Sequence, residues 1–274
     1  MKARPTAPPA MHRTPDLLRP PADTITLDDI WRALADDQLQ PWFQPIIELR
    51  SRRVVAVEAL ARWQHPELGV LPPASFVPML EARGMLRQLT ELMLEKSLYA
   101  CQDWRRAGHA LPVSVNLGAE SLLDPELSSR LRQQLRILNL PPSCLILEFH
   151  SHTLREHQAA AAHALPALRE AGFGVAADDF TPGGGWLPPS LTQLKLERHC
   201  ARDLSRAAER RAALAAILSL ARGRGVAVVA IGVENESDGS ALALLGCDAA
   251  QGYLFGAPMS AAGFSEWISS GEKR

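Results

Sequence analysis

The sequence predicts an α/β fold, a TIM-like (β/α)8 barrel, on three observations. Short apolar runs recur along the chain and end in polar residues. Residues 54–62 pass through Glu58 to Arg62, 112–116 end at Asn116, and 145–148 end at Glu148. Residues 174–179 end at Asp178 and Asp179, 191–195 at Lys195, and 226–234 at Glu234. Segments of helical periodicity alternate with these runs, the pattern of β/α units rather than an open sheet. The length, 274 residues, suits one such barrel. Apolar strands with polar C-terminal ends describe the rim where β/α barrels keep their chemistry. A carboxylate at the end of a buried strand needs a partner, because an unpaired buried charge is costly.

The elements follow in order. Residues 1–25 crowd Pro5, Pro8, Pro9, Pro15, Pro20 and Pro21 among Lys2, Arg4, Arg13 and Arg19, which predicts a disordered, extended tail or a docking arm. No apolar stretch follows its basic residues, so it does not read as a secretory signal, and Met11 is an alternative start. Thr26 and Asp29 make a capping box, and Leu27, Ile30, Trp31 and Leu34 recur at helical spacing. A first strand covers 42–49, and after the Glu58 strand a loop carries Pro66, Pro72 and Pro73. Helical segments are expected over 74–106, 120–139, 158–171, 206–224, 236–245 and 261–269, with a last strand near 251–255.

Composition removes several function classes. A formal net charge of −1 gives no electrostatic reason to expect nucleic acid or a membrane surface as partner. No apolar run is long enough to span a bilayer. Cys101, Cys144, Cys200 and Cys247 are scattered without a Cys-x-x-Cys pair and read as reduced thiols of a cytoplasmic protein. A chain of this length buries roughly three quarters of its unfolded surface.

Several rim residues also carry a resemblance. Glu58-Ala59-Leu60 with Arg62, Asn116, Glu148, Asp178-Asp179, Lys195, Glu234 and Gln251-Gly252-Tyr253 resemble the EAL domain, from about residue 40 to about 267. That family comprises bacterial cyclic di-GMP phosphodiesterases and catalytically dead relatives. The resemblance implies a barrel domain over 26–270 whose first strand, with Gln44-Pro45-Ile46, runs against the others. It further implies that Glu58, Asn116, Glu148 and Asp178 hold a first metal, and that Asp179 and a carboxylate two residues past Lys195 serve a second. Paired divalent ions stabilise both ends of a phosphodiester displacement, and hard ions such as Mg²⁺ or Mn²⁺ take oxygen ligands. By the same resemblance Glu58 and Lys195 are the catalytic pair. Gln44, Glu58, Leu60, Arg62, Asn116, Asp178, Lys195, Glu234 and Gln251 contact cyclic di-GMP, and Arg62 meets phosphate through its planar fork.

The departures fall together. The family's Glu-Gly-Val-Glu is Ile231-Gly232-Val233-Glu234 here, and its Glu-x-Thr-Glu is Glu148-Phe149-His150-Ser151. Lys195-Leu196-Glu197 replaces Lys-x-Asp. The loop after Asp179 reads Phe180-Thr181-Pro182-Gly183-Gly184-Gly185-Trp186-Leu187-Pro188-Pro189, shorter than the family's and poor in helix formers. Ser151 and Ile231 thus mark lost positions of the second metal and its loop, and the shortened loop argues against the family's usual dimer. The expectation is a degenerate EAL domain that binds cyclic di-GMP or regulates signalling. It requires no metal cofactor and retains at most one Mg²⁺ or Mn²⁺ site. Two alternatives stay open: a weak phosphodiesterase cutting one bond to give linear pGpG, and a module that binds an unidentified protein partner and no nucleotide. His150 and His152 read as hydrogen-bonded loop residues in preference to metal ligands. Residues 183–185 read as a loop in preference to a phosphate cradle, and Trp186 either covers a guanine or closes that loop.

Overall fold

The computed structural model describes residues 25–181, 187–204 and 207–270. The proline-rich segment and the glycine run at 182–186 lie outside the described residues, as do the expectations placed on them. Order begins at helix α1 (Leu27–Ala35), whose cap is reciprocal. The Asp29 amide donates to Thr26 Oγ1 at 3.2 Å and the Thr26 amide donates to Asp29 Oδ2 at 2.9 Å. Two donors that a helix start leaves open are thereby satisfied. Ile30 and Ala33 are buried, whereas Trp31, read as part of the apolar face, is exposed.

Strands β1 (Leu39–Glu48) and β2 (Val54–His65) form an antiparallel hairpin that sets Gln44 opposite Glu58. A short β3 (Gly69–Leu71), not expected from the pattern, extends β2. Then β4 (Val113–Leu117), β5 (Leu145–His150), β6 (Gly174–Phe180), β7 (Gln193–Leu196), β8 (Ala227–Ala230) and β9 (Ala249–Ala250) follow β2 in parallel. β9 pairs antiparallel with β1 and closes the ring, so eight strands make the barrel and β1 runs against its neighbours. β1 holds Pro41 and Pro45 without losing its ladder to β2. The odd-numbered amides point away from β2, as the Phe43 amide shows by donating to the Met259 carbonyl at 2.7 Å, so no β2 bond is missing.

Helices α2 (Val77–Ala82), α3 (Leu86–Arg106), α4 (Ala119–Leu122), α5 (Leu127–Ile137), α6 (Ser151–Glu156), α7 (Gln158–Glu170), α8 (Ala208–Gly223), α9 (Glu236–Leu245) and α10 (Ala261–Ser269) surround the ring. The expected helix over 120–139 divides into α4 and α5 at Asp124-Pro125, because a proline disfavours helical backbone in the residue before it. The stretch 74–106 divides likewise into a 3-10 turn at Pro73–Ser75, α2 and α3. α6, not expected, starts directly where β5 ends. The last strand stands at Ala249–Ala250 rather than 251–255, since the chain turns immediately after it.

Two packing layers position the site. Leu145, Leu147 and Phe149 of β5 belong to the large core between strands and helices. Ile46, Ala56, Ile146, Ala176, Val229 and Ala249 form a separate buried cluster inside the barrel. Strand side chains alternate, so a step of two residues keeps the inward face. Two residues further toward the open rim stand Glu58, Glu148, Asp178, Ile231 and Gln251, and on the reversed β1 it is Gln44. An apolar floor therefore lies under a polar layer.

Candidate functional site

The polar layer is one hydrogen-bonded network. Lys195 Nζ lies 2.7 Å from Glu58 Oε2 and 3.0 Å from Glu148 Oε2. The Gln251 amide donates to Glu58 Oε2 at 2.7 Å and to Gln44 Oε1 at 2.9 Å, and Gln44 donates to the Gly256 carbonyl at 2.9 Å. Asn116, more exposed than the others, donates to Glu58 Oε1 at 3.0 Å, and Ser114 Oγ donates to Glu148 Oε1. Glu58, Glu148, Lys195 and Gln251 are buried, so each charge depends on these partners.

Burial would lower the Lys195 ammonium, but Glu148, Glu58 and Asp178 overcome it and hold the group above its ordinary value. Burial pushes the Glu148 carboxyl up to about 8, with Glu58 and Asp178 adding repulsion that Lys195 only partly offsets. Glu58 moves the other way: Lys195, Gln251 and Asn116 outweigh its burial and hold it low. Burial and the neighbouring Glu58 and Asp179 charges raise Asp178. One ammonium therefore favours the ionised form of Glu58, while burial and like charge favour the protonated form of Glu148.

Above the network opens a cavity of about 410 Å³. Gln44, Glu58, Leu60, Arg62, Asp178, Lys195, Glu234 and Gln251, expected from sequence as a ligand set, line it together with Asp179 and Ile231. Asn116 and Glu148 are not on its wall and act through Glu58 and Lys195. Arg62 is only 8% exposed; it donates to the Ala61 carbonyl at 2.8 Å and lies 5.9 Å from the Trp42 ring centroid. Its Nε is buried without a partner, and burial lowers the guanidinium. Among the described residues this guanidinium makes no ion pair; it feels the Glu58 charge and faces the cavity, an arrangement whose chemistry suits an anion.

The sequence singled out neither Arg198 nor Pro258, which share the wall, and took Tyr253 only as part of a motif. The available signal for Arg198 was its place directly after the polar end of β7. Gly252 is required where it stands, because a Cβ there would collide with the Val233 carbonyl and amide.

The remaining rim carboxylates make contacts of their own. Asp179, in left-handed backbone at φ 52°, pairs with His150 Nε2 at 3.2 Å. Glu197 accepts from Thr181 Oγ1 at 2.7 Å and pairs with His199 Nδ1 at 3.0 Å, and it is not on the cavity wall. Ser151 Oγ donates to the Asp178 carbonyl at 2.5 Å. His150 Nδ1 accepts from the His152 amide at 3.1 Å, capping α6; the two histidines are hydrogen-bonded, but they lie in β5 and α6 rather than in a loop. Among the described residues no three histidine, cysteine or acidic side chains stand grouped to hold a metal ion. Lys195 is what lies between Glu58 and Glu148. The donor chemistry of Glu58, Asn116, Glu148 and Asp178 still suits a hard cation, and Asp178 Oδ1 is a buried acceptor without a donor. Ile231 offers no ligand.

The four cysteines are free and buried, and no helix among the described residues is long and apolar enough to cross a membrane.

The comparisons bear on this geometry directly. The chain is 32% identical over 232 residues to the cyclic di-GMP phosphodiesterase PA2567 of Pseudomonas aeruginosa, covering 82% of this chain and 39% of that protein. It is 34% identical over 242 residues to the bifunctional diguanylate cyclase/cyclic di-GMP phosphodiesterase MucR of the same organism, covering 86% and 35%. The chain thus spans under two fifths of those curated relatives. Among solved structures, a PaMucR phosphodiesterase in complex with c-di-GMP superposes with a TM-score of 0.80 at 33% identity, covering 87% of this chain and 98% of that one. The profile described as EAL domain matches residues 27–258. By that match and by its closed barrel with an antiparallel first strand, the chain belongs to the EAL domain family.

Proposed function

We propose that this chain binds cyclic di-GMP without hydrolysing it and passes the signal to a protein partner. The observation that carries the proposal is the wall of the 410 Å³ cavity, which keeps the anion-receiving Arg62 but presents Ile231 where the family pattern has a carboxylate. The loop side of the site supports the same reading: Ser151 stands at the other lost carboxylate position, and Glu197 does not line the cavity. The relatives named as cyclic di-GMP phosphodiesterases, and the related barrel solved with c-di-GMP, support the choice of ligand.

A divalent ion in the first position would rest on Glu58, Asn116, Glu148 and Asp178, and would supply charge neutralisation at phosphate. In this chain Lys195 already neutralises Glu58, so nucleotide binding does not depend on the ion. Losing a second metal removes several kcal/mol of transition-state stabilisation, enough to end useful turnover.

Calorimetry with cyclic di-GMP, with Mg²⁺ and with chelator, tests this. The same affinity is expected in both, with no linear pGpG by chromatography after long incubation. Arg62→Ala should weaken binding by roughly thirtyfold or more, the cost of about 2 kcal/mol for a charge-assisted contact. Metal-dependent conversion to pGpG would show a weak phosphodiesterase instead. No heat at millimolar ligand would leave the protein-interaction reading.

A further inference from the structure

The geometry points to Arg198 as a second phosphate-binding residue of the same cavity, an inference that rests on the cyclic di-GMP reading above. Arg198 opens the 3-10 turn after β7 and lines the cavity wall. Its side chain crosses Gly232, the residue next to Ile231; Gly232 is at φ 69°, and a Cβ there would press on the Arg198 stem. The guanidinium ends on Glu234, also on the wall. Arg202 reaches the same Glu234 oxygen at 3.4 Å but does not line the cavity.

Two cations share one carboxylate at the cavity mouth. The Arg198 and Glu234 side chains are 52% and 43% exposed. Pairs so exposed contribute little net stability, so the arginine is free to exchange one anion for another. A cyclic dinucleotide presents two phosphodiesters. The buried Arg62 receives one inside the cavity, and Arg198 turns from Glu234 to the other at the mouth. The planar fork suits two phosphate oxygens at once, which a lysine ammonium cannot match.

The test is calorimetry of the full chain with cyclic di-GMP in chelator, at low and high salt, for the wild type, Arg198→Ala, Arg198→Lys and Arg202→Ala. Arg198→Ala should bind about tenfold more weakly at low salt, and its affinity should fall less with salt than the wild type's, because the screened contact is gone. Arg198→Lys should recover part of the loss, and Arg202→Ala should stay within about twofold of the wild type. If Arg198 only props Glu234, the Arg198→Ala and Arg202→Ala losses will match and the salt dependence will not change, which overturns the inference. Wild-type binding that Arg198→Ala leaves intact overturns it as well, while sparing the ligand assignment. A wild type that binds no cyclic di-GMP overturns the ligand assignment itself, and this inference with it.

Discussion

Ile231 and Glu148 show how single side chains set the state of the site. Ile231 is the apolar member of a layer otherwise made of Gln44, Glu58, Glu148, Asp178 and Gln251. Restoring its carboxylate in Ile231→Glu should give no linear pGpG, because Glu197 stands off the cavity wall and Ser151 still replaces the carboxylate after β5. Chromatography of long incubations with Mn²⁺ checks this, and recovered turnover would mean that Ile231 alone silences the site. Glu148 makes a pH prediction. Its carboxyl is raised from the ordinary 4.5 to about 8, so the folded protein keeps a proton that the unfolded chain has released. A raised folded-state value contributes stability that is full below the unfolded pKa and is lost as pH rises through the folded one. Glu148→Gln stays neutral throughout and can still accept from Lys195. The melting temperature of the wild type relative to Glu148→Gln should therefore fall between about pH 5 and pH 9. A gap that does not change with pH would show that Glu148 is already ionised.

At the scale of elements, the rim is built by where strands stop. Asn116, Glu148, Asp178 and Lys195 were legible because each stands near the end of an apolar strand, whereas Glu58, read as a strand end, lies inside β2, which runs on to His65. Helix α1 was legible too, from the Thr26–Asp29 cap, and the reversed β1 came through the family resemblance that Gln44-Pro45-Ile46 helps to carry. The end of the barrel was less so. β9 is only Ala249–Ala250, since the Val233 amide donates to the Gln251 carbonyl and the Gln251 amide donates to the Ala230 carbonyl, pulling the chain into a turn. That turn depends on the close approach of Gly252 to Val233, a contact between distant segments that no local pattern encodes. The engagement of Asp179 by His150, 29 residues away in sequence, is equally non-local. Gly252→Ala should force the two turns apart and cost roughly 1–3 kcal/mol, as overpacking does. Urea denaturation would register this as a lower midpoint at unchanged slope. Cyclic di-GMP affinity should fall with it, because Gln251 and Tyr253 flank the displaced residue. Full stability in Gly252→Ala would show that the turn has room to spare.

For the whole molecule, the cavity is a seam through the closed ring. Its wall takes Gln44 from β1, Glu58 and Arg62 from β2, Asp178 from β6 and Lys195 from β7, with Glu234 and Gln251 from the turns after β8 and β9. A ligand touching all of these binds the folded ring and has no counterpart in the unfolded chain. Binding must then stabilise the global fold rather than one loop. At a free concentration of about 100 times the dissociation constant the gain is about 2.7 kcal/mol. At roughly 2–4 °C per kcal/mol for a chain of this size, the melting temperature should rise by about 5–10 °C. Because Lys195 already satisfies Glu58 and Glu148, Mg²⁺ or chelator alone should leave the melting temperature unchanged, and the cyclic di-GMP shift should be the same in either. A shift that disappears in chelator would show that a cation displaces Lys195 before nucleotide enters. A metal-induced shift without nucleotide would place an ion among the carboxylates of the apo protein. A shift of equal size with both added separately, and doubled together, would mean two independent sites where the barrel shows a single charged seam.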